Sequence, residues 1–580
     1  MKKILLFTII SISSVFGGLI HPPDGSELSY IHVMFRWGTE NNAISYEFEL
    51  SNSEDFSSVL INDSVTDTIY LIKEFIDWQS TYFWRVKAVG NNWISTNSFS
   101  TGSTISNVST TLHDENNYSE GYTIFGTIDG YYSAIIDKDG DEIWNSGNDS
   151  IIYYNFLDDG QFFGARYSPN NTYQYIGSKF SLTGGIKWRE PNDEFVHHEF
   201  MQLPWGDYMG IAHETQLGPI HATGNIKILY QIQCGCDVDE NEWPWWGDRL
   251  VIWDKNSKEI KWTWSSFDYF SMDDYDVGLW NTPPPAPPDN HFDWTHVNAF
   301  AFETGDNCIP QDSCIYISTR NLSRISKIDY PSGEIIWNMG HNFEYGSHDV
   351  TFGHDLGFSR QHSISLTNEG NFLILDNGNY SVEYWGANSA TTRALEIDVN
   401  ASTQNADIVW EYILPSELYS PDAGNVQQLS NGNYLITISK SPGTSLEVTP
   451  DNEIVWEANY STYAMWRASR IPKSILSDMQ MENTLSLNNT IIPNECNIEK
   501  IYPNPFNPII NIDYEISEFS FVSAKILNLR GQLIDILYSG YKKPGNYSIL
   551  WDGSLQPSGM YLFVLDNQTS ILIQKIMLVK

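Results

Sequence analysis

From residue 19 to about 105, apolar and polar residues alternate at period two. Examples are ISYEFELS (Ile44–Ser51), DTIYLI (Asp67–Ile72) and TYFWRVKAV (Thr81–Val89). That period places successive side chains on opposite faces of a strand, and turn residues separate the runs, so this stretch predicts a small antiparallel sandwich.

Beyond it the pattern repeats. A turn followed by an apolar strand ending in Trp recurs six times, at Trp144, Trp188, Trp262, Trp337, Trp410 and Trp456. Between most of these falls a second unit built on Gly-Asn or Gly-Asp, as in LPWGDYM (Leu203–Met209), TNEGNFLIL (Thr367–Leu375) and LSNGNYLITI (Leu429–Ile438). Each period therefore holds an inner and an outer hairpin, which is one four-stranded blade, and six periods predict a six-bladed propeller with the tryptophans packed between blades. Spacings of 44 and 46 residues read as bare blades, and those of 73 to 75 as blades with insertions. The string DKDGDE (Asp137–Glu142) resembles a calcium loop, but it occupies the turn of the repeat and reads as a hairpin turn.

The repeats bring three histidines into one register. Counting back nine positions from the Asp or Asn of the Gly-containing turn gives His198 and His362, and ten positions back from Asp306 gives His296. The flanking blades have Ile152 and Gly424 at that point. Three successive blades thus carry an imidazole at the start of the innermost strand, where propeller strands line a central channel. Such a trio could bind zinc with an open fourth position, or it could handle an anion, one ring as nucleophile and the others as donors. Arg320, just after the strand IYIST, favours the anion, since a guanidinium repels a metal cation and matches a sulfuryl or phosphoryl group.

Charge narrows the partners. Asp and Glu number 72 against 32 Lys and Arg, a formal net charge of −40, which disfavours nucleic acid and anionic membranes. Met1-Lys2-Lys3 followed by a short apolar run reads as an export signal over residues 1–18, and no later stretch predicts a transmembrane helix. Five cysteines are few; an oxidising compartment permits a disulfide between Cys308 and Cys314, and the spacing of Cys234 and Cys236 lacks the second pair of a structural zinc site.

Three stretches resemble known families. The pattern YEFELSNSEDFSS…TYFWRVKAV…SFSTG resembles a fibronectin type III domain, a module that commonly serves as a spacer or binding unit. From YPNPFNP (Tyr502–Pro508) through NLRGQLIDIL, GNYSILWDG and SGMYLFVL, the end of the chain resembles the C-terminal sorting domain of the type IX secretion system, implying delivery across an outer membrane. Between them, FSRQHSISLTNEGNFLILDNGN (Phe358–Asn379), DWTHVNAF (Asp293–Phe300), ISTRNLSRISKIDYPSGEIIWNMG (Ile317–Gly340) and HHEFMQLPWGDYM (His197–Met209) resemble motifs of the bacterial PAPS-independent arylsulfotransferases.

That resemblance implies transfer of a sulfuryl group from an aryl sulfate to a phenolic acceptor. His362 would match the transiently sulfated histidine, and His198, His296 and Arg320 the residues that hold sulfuryl oxygens and assist proton transfer. No cofactor and no metal is implied. Residues Glu242–Asn290 read as an insertion whose Trp243, Trp245, Trp246, Tyr269 and Phe270 could stack on an aryl ring or could pack on one another.

The sequence therefore predicts an all-β chain, a six-bladed β-propeller flanked by an N-terminal β-sandwich and a small C-terminal one. The expected divisions are a signal peptide (1–18), a fibronectin-like domain (19–105), the propeller (106–470), an Asn-rich linker (471–496) and the sorting domain (497–580). Alternatives to the enzyme are a non-catalytic surface propeller that binds ligands, and a quinone- or metal-dependent propeller enzyme.

Overall fold

The computed structural model describes residues 18–475 and 497–580, apart from 41–42, 94, 158–159, 168–174, 183–184, 192–195, 235–240, 285–290, 306–307, 309–312, 368, 441, 463–464, 517–519, 529–532, 543–544 and 567–570. The expected signal peptide and nearly all of the expected linker lie outside the described residues. The chain is all-β, with a few short helices. No helix among the described residues is long and apolar enough to cross a membrane.

The six sequence repeats become six antiparallel meander sheets, each of the form of a propeller blade. The six repeat tryptophans all sit on outer strands: Glu142–Asn145, Gly185–Arg189, Ile260–Ser265, Ile335–Gly340, Asn405–Ile413 and Ile454–Tyr460. Four of them make the same contact. The indole N–H of Trp144 donates to Leu182 O, that of Trp262 to Pro331 O, that of Trp410 to Pro450 O and that of Trp456 to Lys138 O, each time a carbonyl at the outer turn of the following sheet. The outer turn thus supplies an indole acceptor at a constant offset from the blade. The DKDGDE segment is indeed such a turn: Gly140 N–H donates to Asp137 O, and Asp137 Oδ1 accepts from the backbone of Asp139 and Asp141.

Two strands are exchanged between the ends of this region. Tyr122–Thr127 pairs not only with Tyr132–Ile136 but with Met465–Ile471, which supplies the inner strand of the first sheet. Val108–Leu112 in turn adds a fifth strand to the sixth sheet by pairing with Ile454–Tyr460.

The N-terminal stretch forms a three-stranded and a five-stranded sheet around Phe35, Trp37, Phe48, Trp84 and Phe99. It is more than a spacer, because its core is continuous with Ile124, Ile135, Trp144, Tyr153 and Phe180 of the first two blade sheets. Ile31 N–H donates to Ile143 O, Asn145 N–H to Ser29 O, and the Trp78 indole to Glu142 O. The C-terminal stretch forms a three- and a four-stranded sheet over Ile510, Ile512, Val522, Ile526, Trp551 and Phe563.

One sequence boundary is corrected. Glu242–Trp253 is not insertion but a twelve-residue strand, paired residue by residue with Tyr208–Pro219. Burial alternates along its start, with Trp243 and Trp245 buried and Pro244 and Trp246 half-buried, which is a strand period that the tryptophan density obscured. The added chain lies elsewhere: the helix Gly224–Cys234 ahead of that strand, and the short helices Ser266–Tyr269 and Val277–Trp280 after the blade's outer strand.

Candidate active site

The register found in the sequence marks an irregularity of the inner strands. His198 is the third residue of the strand Val196–Gln202, His296 directly precedes Val297–Thr304, and His362 opens His362–Leu366. His198 and His296 have φ of 64° and 53°, and Ser363, after His362, has 58°. Pairing shifts register between Val297 and Ala299, and between His362 and Ser365. A left-handed non-glycine residue costs about 1–2 kcal/mol, so two histidines at this backbone geometry are held by their surroundings. The bulge turns a side chain that would follow the pleat towards a chosen direction.

His198, His296 and Arg320 are brought together. His198 Nε2 lies 3.1 Å from His296 Nε2, and His198 Nδ1 lies 2.6 Å from His197 Nδ1. His296 Nδ1 is 2.6 Å from Asp293 Oδ2, three residues back. Arg320 is tied to this corner by its backbone: its N–H donates to His296 O, and that of Asn321 to Thr295 O. The Arg320 guanidinium donates to Asn321 Oδ1 at 2.7 Å, while the Asn321 amide donates to Asp293 O. Burial raises the Asp293 carboxyl, but the His296 charge and hydrogen bond and the Arg320 charge outweigh it and hold it down at about 2.

Behind these stand two groups that the register did not select. His197 Nε2 lies 3.1 Å from Asp248 Oδ1, and both residues are buried. Asp248 Oδ2 accepts from Thr295 Oγ1 and from Val297 N–H at 2.5 and 2.6 Å. Burial pushes the Asp248 carboxyl up, yet His197 and His213 more than offset it and keep it well below the usual carboxylate range. His197 itself is pushed down to about 4, by burial first and then by the charge of His213. The trio His197, His213 and Asp248 has the composition of a metal site. Its two rings are stacked at 3.9 Å and 21°, however, so their nitrogen lone pairs run side by side instead of converging on one ion.

His362 is buried and its tautomer is set by Asn377. The Asn377 amide nitrogen donates to Ser420 O at 2.9 Å and Ala423 O at 3.1 Å, which leaves Oδ1 facing His362 Nδ1 at 2.8 Å. Oδ1 can only accept, so His362 carries its proton on Nδ1 and its lone pair on Nε2. The DNGN string exists to hold this amide. Asp376 Oδ1 accepts from the backbone N–H of Ser359 and Gly378, and Oδ2 from the Arg393 guanidinium. Gly378 has φ 68°, and a Cβ there would lie 1.7 Å from Thr391 O. Asn377 is a residue that sequence reasoning missed, though the DNGN string was its signal; the adjacency of His197 and His198 had left open which of the two belongs to the register.

The expected aryl-stacking residues divide. Trp243, Trp245 and Phe270 are core residues, packed with Trp264, Trp280 and Trp294, and Tyr269 stacks on Trp264. Trp246 alone belongs to a ring column, stacked on His213 at 4.4 Å and on His291 at 4.6 Å. The expected disulfide joins Cys308 and Cys314, so these sulfurs are not thiolate ligands. Cys236 and Cys496 lie outside the described residues.

Four-stranded meander sheets, three of which carry a histidine at the inner strand, define an all-β protein built of propeller-type blades. The sequence profile of the arylsulfotransferase (ASST) family matches residues 108–474, the span of all six sheets. The chain belongs to the arylsulfotransferase family. A secretion system C-terminal sorting domain matches residues 500–580, and the protein is exported to the cell surface or beyond. No curated protein sequence matches the chain. Among solved structures it is similar to a protein of unknown function from Bacteroides caccae, at 11% identity and TM-score 0.33, over 61% of this chain and 99% of that one. It is also similar to the extracellular domain of a hybrid two-component system from B. thetaiotaomicron, at 10% identity and TM-score 0.31, over 82% of this chain and 55% of that one. At such scores neither likeness bears on fold or activity.

Proposed function

We propose that the protein is an aryl-sulfate sulfotransferase that works without a nucleotide donor, by double displacement on His362, on a six-bladed propeller. His362 Nε2 attacks the sulfur of an aryl sulfate, the S–O bond to the aryl oxygen breaks, and the first phenol leaves a sulfohistidine behind. A phenolic acceptor then takes the sulfuryl group and returns the histidine. His198, His296 and Arg320 donate to the sulfuryl oxygens, where negative charge builds, and fixed donors stabilise that charge without reorganising. A covalent intermediate lets one site serve both phenols in turn, which gives ping-pong kinetics.

The observation that carries this reading is the Asn377–His362 contact, which leaves the lone pair on the nitrogen that must be nucleophilic. Export begins with residues 1–18 as a cleaved signal peptide and proceeds through the type IX machinery that reads the sorting domain. The test is to quench the protein with 4-nitrophenyl sulfate and search by mass spectrometry for a sulfated peptide containing His362. A sulfated His362, with no 4-nitrophenol burst in His362→Ala, supports the reading. Robust turnover by that variant overturns it.

A further inference from the structure

Where the N-terminal sandwich joins the first two blade sheets, a cleft of about 330 Å³ stays open. The sandwich lines it with the strand Ser26–Leu28, the first sheet with its outermost strand Glu142–Asn145, and the second sheet with the end of the strand Tyr175–Ser181. These walls are fixed to one another. Asn145 N–H donates to Ser29 O, Ile31 N–H donates to Ile143 O, and Tyr30 and Trp144 form an isolated β-bridge. None of His198, His296 and His362 is among the lining residues.

The floor is buried and apolar, made by Leu28, Tyr30, Trp144, Phe180 and Leu182. The Trp144 and Phe180 rings lie nearly parallel, 6.3 Å apart at 18°. The polar atoms of the floor are committed within the protein: the Trp144 indole donates to Leu182 O, and the Tyr30 hydroxyl meets His21 Nε2 at 3.0 Å. The rim has the opposite character. Glu27 is exposed, and Ser26, Ser29 and Asp149 are half-buried. Among the described residues, nothing bonds or pairs with the carboxylates of Glu27 and Asp149 or with the Ser29 hydroxyl. No described lysine or arginine lines the cleft, and His21, pushed down to about 4 by burial and then by the Arg36 charge, is neutral at pH 7.

A carbon floor beneath uncommitted acceptors selects a ligand that has an apolar face and several donors. Ionised carboxylates only accept, so they suit hydroxyl groups and repel sulfate, phosphate and carboxylate. An aryl sulfate is thereby the wrong occupant, and the cleft is no second seat for a sulfuryl donor. An ammonium group would match the charge, but the floor rings are almost wholly covered and open no cage of faces around a cation. The volume lies at the lower end of small-molecule sites, which run from about 300 to about 1,000 Å³, and suits one or two sugar rings.

We propose that this cleft is a binding site for a neutral saccharide, whose hydroxyls donate to Glu27 and Asp149 while its ring carbons lie over Tyr30, Trp144 and Leu182. The activity is separate from sulfuryl transfer and does not rest on it. Because the sandwich shares one core with the first two sheets, a saccharide held there holds those sheets as well.

The test is saturation-transfer NMR on the full chain, with the methyl glycosides of glucose, galactose, mannose and N-acetylglucosamine and with maltose and cellobiose. At least one should receive saturation on its ring protons, with a Kd below about 10 mM. In the double variant Glu27→Ala, Asp149→Ala, its Kd should rise at least about 10-fold at unchanged Tm, since both side chains sit at the rim and charge-assisted bonds are lost. Glu27→Gln with Asp149→Asn keeps two acceptors and should lose less. Saturation of none of these sugars, or equal binding by wild type and the alanine variant, would overturn the site. Benzylammonium bound more tightly than every sugar, and lost in the same variant, would make the cleft a cation site and overturn it too.

Discussion

Asn377 Oδ1 meets His362 Nδ1 at 2.8 Å, and the Asn377 amide nitrogen is already committed to the carbonyls of Ser420 and Ala423. The two ends of one amide therefore link the inner strand of the fifth sheet to the turn that precedes the sixth. Rotating the amide would set its nitrogen against the imidazole and its oxygen against two carbonyls, so the arrangement has a single stable sense.

Asn377→Ala removes the acceptor and frees both tautomers of His362. The 4-nitrophenol burst rate should drop about 100-fold with KM little changed, because the residue touches the nucleophile and not the substrate. A burst rate within threefold of wild type would contradict this.

Gly378→Ala should be far more damaging than Gly386→Ala. Both glycines have positive φ, at 68° and 81°, but a Cβ at Gly378 meets Thr391 O, whereas at Gly386 nothing lies within 4 Å. The expected cost is about 1 kcal/mol at Gly386 and at least about 3 kcal/mol at Gly378, since there strain adds to a backbone clash. Urea midpoints of the two variants decide it; equal shifts would refute the clash.

Stability should fall as the pH drops from 6.5 towards 4. His21, His32 and His197 are each lowered to about 4, chiefly by burial, so the unfolded chain takes up protons that the folded chain refuses. Their contribution is complete above the unfolded value of 6.5 and is lost as the pH falls towards 4. For fully buried His197 alone the loss by pH 4.5 is on the order of 2 kcal/mol. Urea midpoints at pH 7, 5.5 and 4.5 should decline in order, and a flat profile would be inconsistent with neutral buried rings.

The N-terminal sandwich should not melt separately from the first two blade sheets. Removing residues up to 105 would bare Ile124, Ile135, Trp144 and Tyr153, which now share its core. The truncated chain is expected to be insoluble or to lose at least 10 °C in Tm. A soluble truncation of unchanged Tm would restore the view of that region as a spacer.

What the sequence made legible was what repeats. Outer-strand tryptophans, the Gly-Asn turns and the histidine register recur at constant offsets, so comparison within one chain exposes them. Contacts made once do not. Asp248 meets His197 from 51 positions away, and Asn377 meets His362 from 15, through strand neighbours that only the sheet order reveals. Met465–Ile471 went unmarked for a related reason: it is the inner strand of the sheet that carries Trp144, at the far end of the repeats in sequence. In Glu242–Trp253 a period-two strand was hidden because both of its faces carry aromatic residues.

The strand exchange at Met465–Ile471 also dictates when the protein can lock. A ribosome or export channel that has released only the first 460 residues presents Tyr122–Thr127 with one side bare, a sticky ledge for neighbouring chains. Loss of the chain beyond residue 475, sorting domain included, leaves the clasp whole, whereas a cut a dozen residues earlier opens it. The last strand of the blades thus precedes the sorting domain, so the blades need nothing from it to be complete.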